Sequence, residues 1–98
     1  MIRGEVWRYA PEGSPRVRTI LIVSADGINR SSRRWVYGLD IVDDDPEDML
    51  AVRLVDGRWI SGTSLSRLWR DWLVERLGAI DGETEGSIDG MLRGALDL

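Results

Sequence analysis

All 13 basic residues of the 98-residue chain are arginines, and it contains neither histidine nor cysteine. Imidazole acid–base catalysis, imidazole or thiolate metal ligation, thiolate nucleophiles and disulfides are therefore excluded. With no lysine, so is Schiff-base chemistry. Any catalysis falls to Arg, Asp, Glu, Ser, Thr, Tyr or the backbone. Arg16, Arg18, Arg30, Arg33 and Arg34, with Trp7, Trp35 and Tyr37, make a candidate groove of cations and stacking rings. That combination holds unstacked bases and their phosphates. The competing use of the rings is core packing: with five tryptophans and no phenylalanine, at least two tryptophans are expected to be buried.

The net charge of −4 conceals a strong segregation. Residues 1–36 carry seven arginines against three acids, whereas residues 37–57 carry one arginine against seven acids. The average argues against a general nucleic-acid coat but leaves room for a local basic groove. Asp43-Asp44-Asp45-Pro46-Glu47-Asp48 reads as a solvated turn, because its charges repel and its proline opposes a helix. Its functional alternative is a mimic of nucleic-acid charge, or a dock for a basic partner.

The chemistry must be positioned by a single domain spanning 1–98, an ordinary size for one compact unit, and oligomerisation would help so thin a core. No apolar run is long enough to span a membrane and no signal peptide is visible, so a cytoplasmic location is expected. A first strand is expected over 4–10 (Val6, Trp7, Tyr9), then a loop over 11–15 marked by proline and glycine. The run Ile20-Leu21-Ile22-Val23 within 17–24 suggests a central strand buried on both faces. A polar segment with one helical turn near 27–31 leads to a third strand over 34–42. Residues 49–55 and 58–60 read as a hairpin joined by a two-residue Asp56-Gly57 turn.

Leu65, Leu68, Trp69, Trp72, Leu73 and Leu77 recur at helical spacing and predict a helix over 65–77, with Ser64 as cap. A last helix, capped by Asp81, shows a stripe of Ile88, Met91, Leu92, Ala95 and Leu96. Gly82, Gly86, Gly90 and Gly94 repeat on its other side. Each interior glycine costs about 0.8–1 kcal/mol against alanine, so this helix needs to be docked. The glycine side is either a tolerated surface or a place where a partner backbone approaches closely.

Arg3-Gly4-Glu5-Val6-Trp7, then a Gly-Ser loop, then Arg18 leading an apolar strand that ends in Ser24, resemble the MazF/PemK family, toxins of bacterial toxin–antitoxin pairs. Glu75-Arg76-Leu77 and the terminal helix pattern extend the likeness over most of the chain. The resemblance implies a mainly β (α+β) fold: an SH3-like, strongly bent small barrel with a short helix and a C-terminal α-helix, usually a homodimer. It also gives a different reading of the ambiguous stretch. Strand would cover 58–68, a short helical turn 70–73 and strand 74–80, with Trp69 and Trp72 as core or dimer contacts.

The resemblance further implies cleavage of single-stranded RNA with neither metal nor cofactor, in which the 2′-hydroxyl attacks its own phosphorus and leaves a 2′,3′-cyclic phosphate. Such a reaction needs a proton acceptor, a proton for the leaving oxygen, and donors for charge growing on the phosphoryl oxygens. By resemblance Arg18 fills the last role, since a guanidinium fork can hold two phosphate oxygens. The plainer alternative pairs it with Glu5 or Glu12 on the surface. The family's partner residue is a threonine or serine at the end of the third strand, and here Asp40 stands there (Asp43 if the alignment slips by three). A carboxylate can accept the 2′ proton, but it also repels phosphate and pairs with Arg18. Thr19, where the family usually has proline, points to the opposite face from Arg18. Ser14, Arg16, Thr19 and Arg34 are the expected substrate-binding residues, with the 13–16 loop covering the RNA. Expected partners are a cognate antitoxin, single-stranded RNA and a second copy of the chain, with no membrane. The alternatives are a catalytically degenerate member acting by protein binding, as the related CcdB-type gyrase poisons do, and a small dimeric structural protein.

Overall fold

The computed structural model describes residues 1–47 and 49–96, the last two as backbone only. Asp48 of the acidic turn, and the side chains of Ala95 and Leu96 in the helical stripe, lie outside the described residues. The elements are β1 (Glu5–Tyr9), β2 (Arg18–Ile22), α1 (Asp26–Asn29), β3 (Trp35–Val42), β4 (Val52–Arg53), β5 (Trp59–Ile60), β6 (Ser66–Trp69), β7 (Leu73–Ala79) and α2 (Gly82–Leu96). Single 3-10 turns at Gly62–Ser64 and Arg70–Trp72 flank β6. The strands form one antiparallel sheet in the order β4-β5-β3-β2-β1-β7, with β6 also on β3.

β2 is the central strand expected from its apolar run. Ile20, Leu21 and Ile22 have no solvent exposure, because strand alternation sends them into two cores. Leu21 joins Val6, Leu39, Ile41 and Ile60 beneath Ile88 of α2. Ile20 and Ile22 join Tyr9, Val36, Leu68 and Leu73 on the other face.

The bend follows from chain length. Laid flat, the path β6-β3-β2-β1-β7 would hold its two outer strands about 19 Å apart. Yet the chain crosses from β6 to β7 through three residues, 70–72, in a 3-10 turn, which rises only about 2 Å per residue. The sheet must therefore curl. Across the closing gap Trp69 N–H donates to Tyr9 Oη (3.2 Å) and Ala10 N–H donates to the Trp72 carbonyl (2.9 Å). Among the described residues no ladder joins β6 to β7, so the small barrel implied by the resemblance is corrected to an open, strongly bent sheet.

This geometry also overturns the helix expected over 65–77. The helical spacing of its apolar residues arises from two strands separated by one 3-10 turn, which resets the alternation. The strand expected over 58–68 is likewise broken into β5 and β6, which share one edge of β3, at Ile41–Val42 and Trp35–Gly38 respectively. In the β4–β5 hairpin Asp56 keeps a negative φ and only Gly57 is positive (+90°). The connection is thus a three-residue loop with glycine at the left-handed position, not a two-residue turn.

α2 forms as expected. Thr84 N–H donates to Asp81 Oδ1 (2.7 Å), the N-cap bond. Ile88, Met91 and Leu92 pack on the sheet, while a Cβ at Gly82, Gly86, Gly90 or Gly94 would meet nothing within 4 Å. The expected burial of at least two tryptophans is not observed. Trp35 is exposed and the other four are half-buried, because aliphatic side chains and Tyr9 fill the cores. No helix among the described residues is long and apolar enough to cross a membrane.

The opening motif Arg3-Gly4-Glu5-Val6-Trp7 serves the fold. Gly4 takes φ +89°, a left-handed conformation natural to glycine, and its N–H donates to the Ile22 carbonyl (2.9 Å). Glu5, nearly buried, accepts from Ile2 N–H (2.6 Å) and pairs with Arg76 of β7. Burial alone would raise the Glu5 pKa, but the Ile2 and Arg76 hydrogen bonds outweigh it and hold the carboxyl below its ordinary value of about 4.5. Asp26, bonded by Arg3 N–H, Asp56, bonded by Arg58, and Asp81, bonded by Thr84 N–H, shift the same way. Carboxyls depressed on folding stabilise the native state above their unfolded pKa, and lose that contribution as pH falls through the folded value. Thermal stability is thus expected to hold from pH 7 to about 5 and to fall below about 4.5. Glu5→Gln should melt lower than wild type at pH 7 and show a shallower decline between about pH 5 and 3. An unchanged slope would remove Glu5 from this account.

Candidate active site

Arg18 opens β2 opposite Tyr9 of β1. Its guanidinium carbon lies 5.6 Å from the Tyr9 ring centroid. Arg18, Ile20 and Ile22 share one face of β2 by alternation, and on β3 the same face carries Val36, Gly38 and Asp40, with Asp40 directly opposite Ile20. That diagonal brings Arg18 to Asp40. Nε and Nη2 of Arg18 contact the same carboxylate oxygen, Oδ1, at 2.9 and 2.7 Å. The pairing with Glu5 or Glu12 is not what forms.

The two side chains keep 33% and 28% of their surface exposed, so the pair is accessible while partly desolvated. It lines an open cleft of about 390 Å³ together with Arg16, Thr19, Asp43 and Arg58. Three arginines there face two aspartates. Arg58 is also held by Asp56, through Nε and Nη2 at 2.9 Å each.

The structure brings Arg16, Arg18, Thr19 and Asp40 around this one cleft. Ser14 sits in the exposed β1–β2 loop, where its Oγ accepts from Arg16 N–H (3.1 Å), and it does not line the cleft. Arg34 is elsewhere. With Arg33, Trp35, Tyr37 and Arg67 it borders a separate cavity of about 360 Å³, on the face of β3 opposite Asp40. Arg34 stacks over Trp69 (5.6 Å) and Arg67 over Trp35 (4.6 Å). The single groove expected from the sequence is therefore two regions on two faces, and Trp7 packs on the inner core instead.

Two hydroxyls not assigned to the site from the sequence, Ser66 and the expected helix cap Ser64, meet the pair. Ser66 Oγ on β6 lies 3.2 Å from Arg18 Nη2 and accepts its hydrogen bond. Ser64 Oγ accepts from Asp40 N–H (2.7 Å) and donates to the Ser61 carbonyl (2.7 Å), fixing the backbone beneath Asp40. The signal available in the sequence was the hydroxyl cluster at 61, 63, 64 and 66, following a stretch 34–60 that has no serine or threonine. Among the described residues no group of three or more carboxylates is placed to hold a metal.

Another concavity of about 390 Å³, between β7, the start of α2 and the β4–β5 hairpin, includes Val6, Leu54, Leu77 and Ile80. Its polar groups are occupied structurally: Asp56 by Arg58, and Asp81 by the α2 backbone.

No protein-family model matches the chain, and no curated protein sequence matches it significantly. Its fold does match solved structures. An endoribonuclease from a mycobacterial species, in complex with its cognate antitoxin, superposes with a TM-score of 0.87 at 24% identity, covering 100% of this chain and 96% of that one. A mycobacterial endoribonuclease gives 0.84 at 22% identity, covering 100% and 92%. A MazE–MazF structure from Deinococcus radiodurans gives 0.82 at 15% identity, covering 100% and 97%. At these identities the likeness establishes the fold.

Proposed function

We propose that the chain is an endoribonuclease toxin of the MazF type, acting as a homodimer on single-stranded RNA and restrained by a cognate antitoxin. One observation carries this reading: a partly exposed guanidinium paired with a carboxylate at an arginine-rich cleft, on a fold shared with solved endoribonucleases. Asp40 Oδ2 accepts the 2′-hydroxyl proton as the 2′-oxygen attacks phosphorus. The P–O5′ bond breaks, and the departing 5′-oxygen takes a proton from water. Arg18, its Nε and Nη2 steadied by Asp40 Oδ1 and Ser66 Oγ, turns its remaining Nη1 donors to the phosphoryl oxygens on which charge accumulates.

Aspartate in place of a hydroxyl then has a use. In the resting pair the carboxylate offsets the Arg18 charge. When Asp40 takes the 2′ proton it becomes neutral, and the full guanidinium charge is exposed to the phosphorane as that species forms. Stabilisation that appears only in the transition state raises the rate, whereas equal stabilisation of the bound substrate does not.

The resting neutralisation of Arg18 also favours a second reading, a degenerate member that acts by binding protein. Purified protein incubated with mixed single-stranded RNA in EDTA separates the two. Fragments bearing 2′,3′-cyclic phosphate and 5′-hydroxyl ends support the ribonuclease; intact RNA at high enzyme concentration supports the binding protein.

A further inference from the structure

Ser66 stands in an unusual relation to the Arg18–Asp40 pair. It comes from β6, which borders β3 and not β2, and in register it faces Gly38. A side chain at position 38 would fill the lane between β2 and β6, since a Cβ there would sit 2.4 Å from Ile20 Cγ2 and 2.9 Å from Leu68 Cδ1. With glycine Ile20 and Leu68 close over position 38, and Ser66 Oγ reaches Arg18 Nη2 at 3.2 Å. A hydroxyl carries one donor and two acceptor lone pairs. Ser66 spends a lone pair on Arg18, and none of the described hydrogen bonds uses its hydrogen. Ser66 is half-buried; it is not among the residues lining the cleft and joins it through its bond to Arg18.

We infer that Ser66 is a catalytic residue of the proposed reaction: its hydroxyl donates to the same phosphoryl group that Arg18 holds, supplying from β6 the hydroxyl that β3 lacks. The inference rests on the ribonuclease reading. Ser66 transfers no proton. It adds one hydrogen bond to an oxygen whose negative charge grows as the 2′-oxygen attacks, and charge-assisted bonds of this kind are the strong ones. Because the same oxygen atom accepts from Arg18, donor and cation are held in fixed relation before substrate arrives, which is the condition for electrostatic preorganisation.

The test uses a short RNA with one scissile phosphate mapped with the wild-type protein. Ser66→Ala is expected to lower kcat by about tenfold to a hundredfold with little change in KM, and Ser66→Thr, which keeps the hydroxyl, to restore most of it. RNA with sulfur replacing one non-bridging oxygen of that phosphate separates contact from positioning. For the diastereomer that places sulfur at the Ser66-bonded position, wild type slows while Ser66→Ala slows no further. Full activity of Ser66→Ala overturns the inference, as does a slowed variant with an undiminished sulfur effect, which would make Ser66 a prop for Arg18. Cleavage by wild type that is lost in Arg18→Ala shows the underlying reading to be intact in either case. Absence of wild-type cleavage overturns that reading itself, and this inference with it.

Discussion

Replacing Arg18 by alanine is expected to lower RNA cleavage by about a hundredfold to a thousandfold, the usual loss for one preorganised donor to a developing oxyanion. Arg18 gathers the site around itself. Its Nε and Nη2 hold Asp40 Oδ1, Nη2 holds Ser66 Oγ, and its guanidinium carbon lies over the Tyr9 ring. Alanine removes the phosphate donor and also leaves Asp40 as an unopposed negative charge where a phosphate must bind. Arg18→Lys is expected to recover little, because an ammonium is a point charge that cannot reproduce the fork's contacts. The fold should survive both changes. Arg18 sits at the open end of β2, and the apolar burial of that strand belongs to Ile20, Leu21 and Ile22. Single-turnover cleavage rates beside thermal melts check the pair of expectations. Wild-type cleavage by a folded Arg18→Ala protein would remove the chemistry assigned to this cleft.

The elements legible in the sequence were those whose burial pattern is local. β2 is apolar on both alternating faces because both faces are covered, and α2 has a cap at Asp81 and a stripe at Ile88, Met91 and Leu92. β6 and β7 were not legible by periodicity. Leu68 and Leu73 point into the bend while Val74 and Leu77 remain exposed, and the three-residue turn between the strands gives their apolar residues a false helical spacing. The site divides along the same line. Arg18 and Asp40 belong to neighbouring strands and follow from the order of elements in a resemblance. Ser66 reaches Arg18 from β6, across a Gly38 whose missing side chain lets Ile20 and Leu68 close together, a fact of register and packing that no local pattern records. The most recognisable stretch, Arg3 to Trp7, turned out to launch β1 and anchor β7 through Glu5 and Arg76, so recognition pointed to the fold more directly than to the chemistry.

Gly38→Ala is expected to cost about 1–3 kcal/mol of stability, the usual range for overpacking a filled core. In a domain of this size each kcal/mol lowers Tm by about 4–8 °C. The added Cβ would lie 2.4 Å from Ile20 Cγ2, 2.8 Å from the Leu21 carbonyl oxygen and 2.9 Å from Leu68 Cδ1. None of the three can retreat easily: Ile20 and Leu68 are at most 1% exposed, and the carbonyl belongs to the central strand. Relief must come from displacing β6 away from β2, and β6 carries Ser66. Cleavage is therefore expected to fall together with Tm, even under conditions where the variant is fully folded. Gly90→Ala on α2 provides the contrast, since nothing lies within 4 Å of its Cβ position. There the same added methyl improves helix propensity and should leave both Tm and cleavage undiminished. If Gly38→Ala melted with wild type, the lane between β2 and β6 would have room to spare, and the close approach of Ser66 to Arg18 would not depend on it.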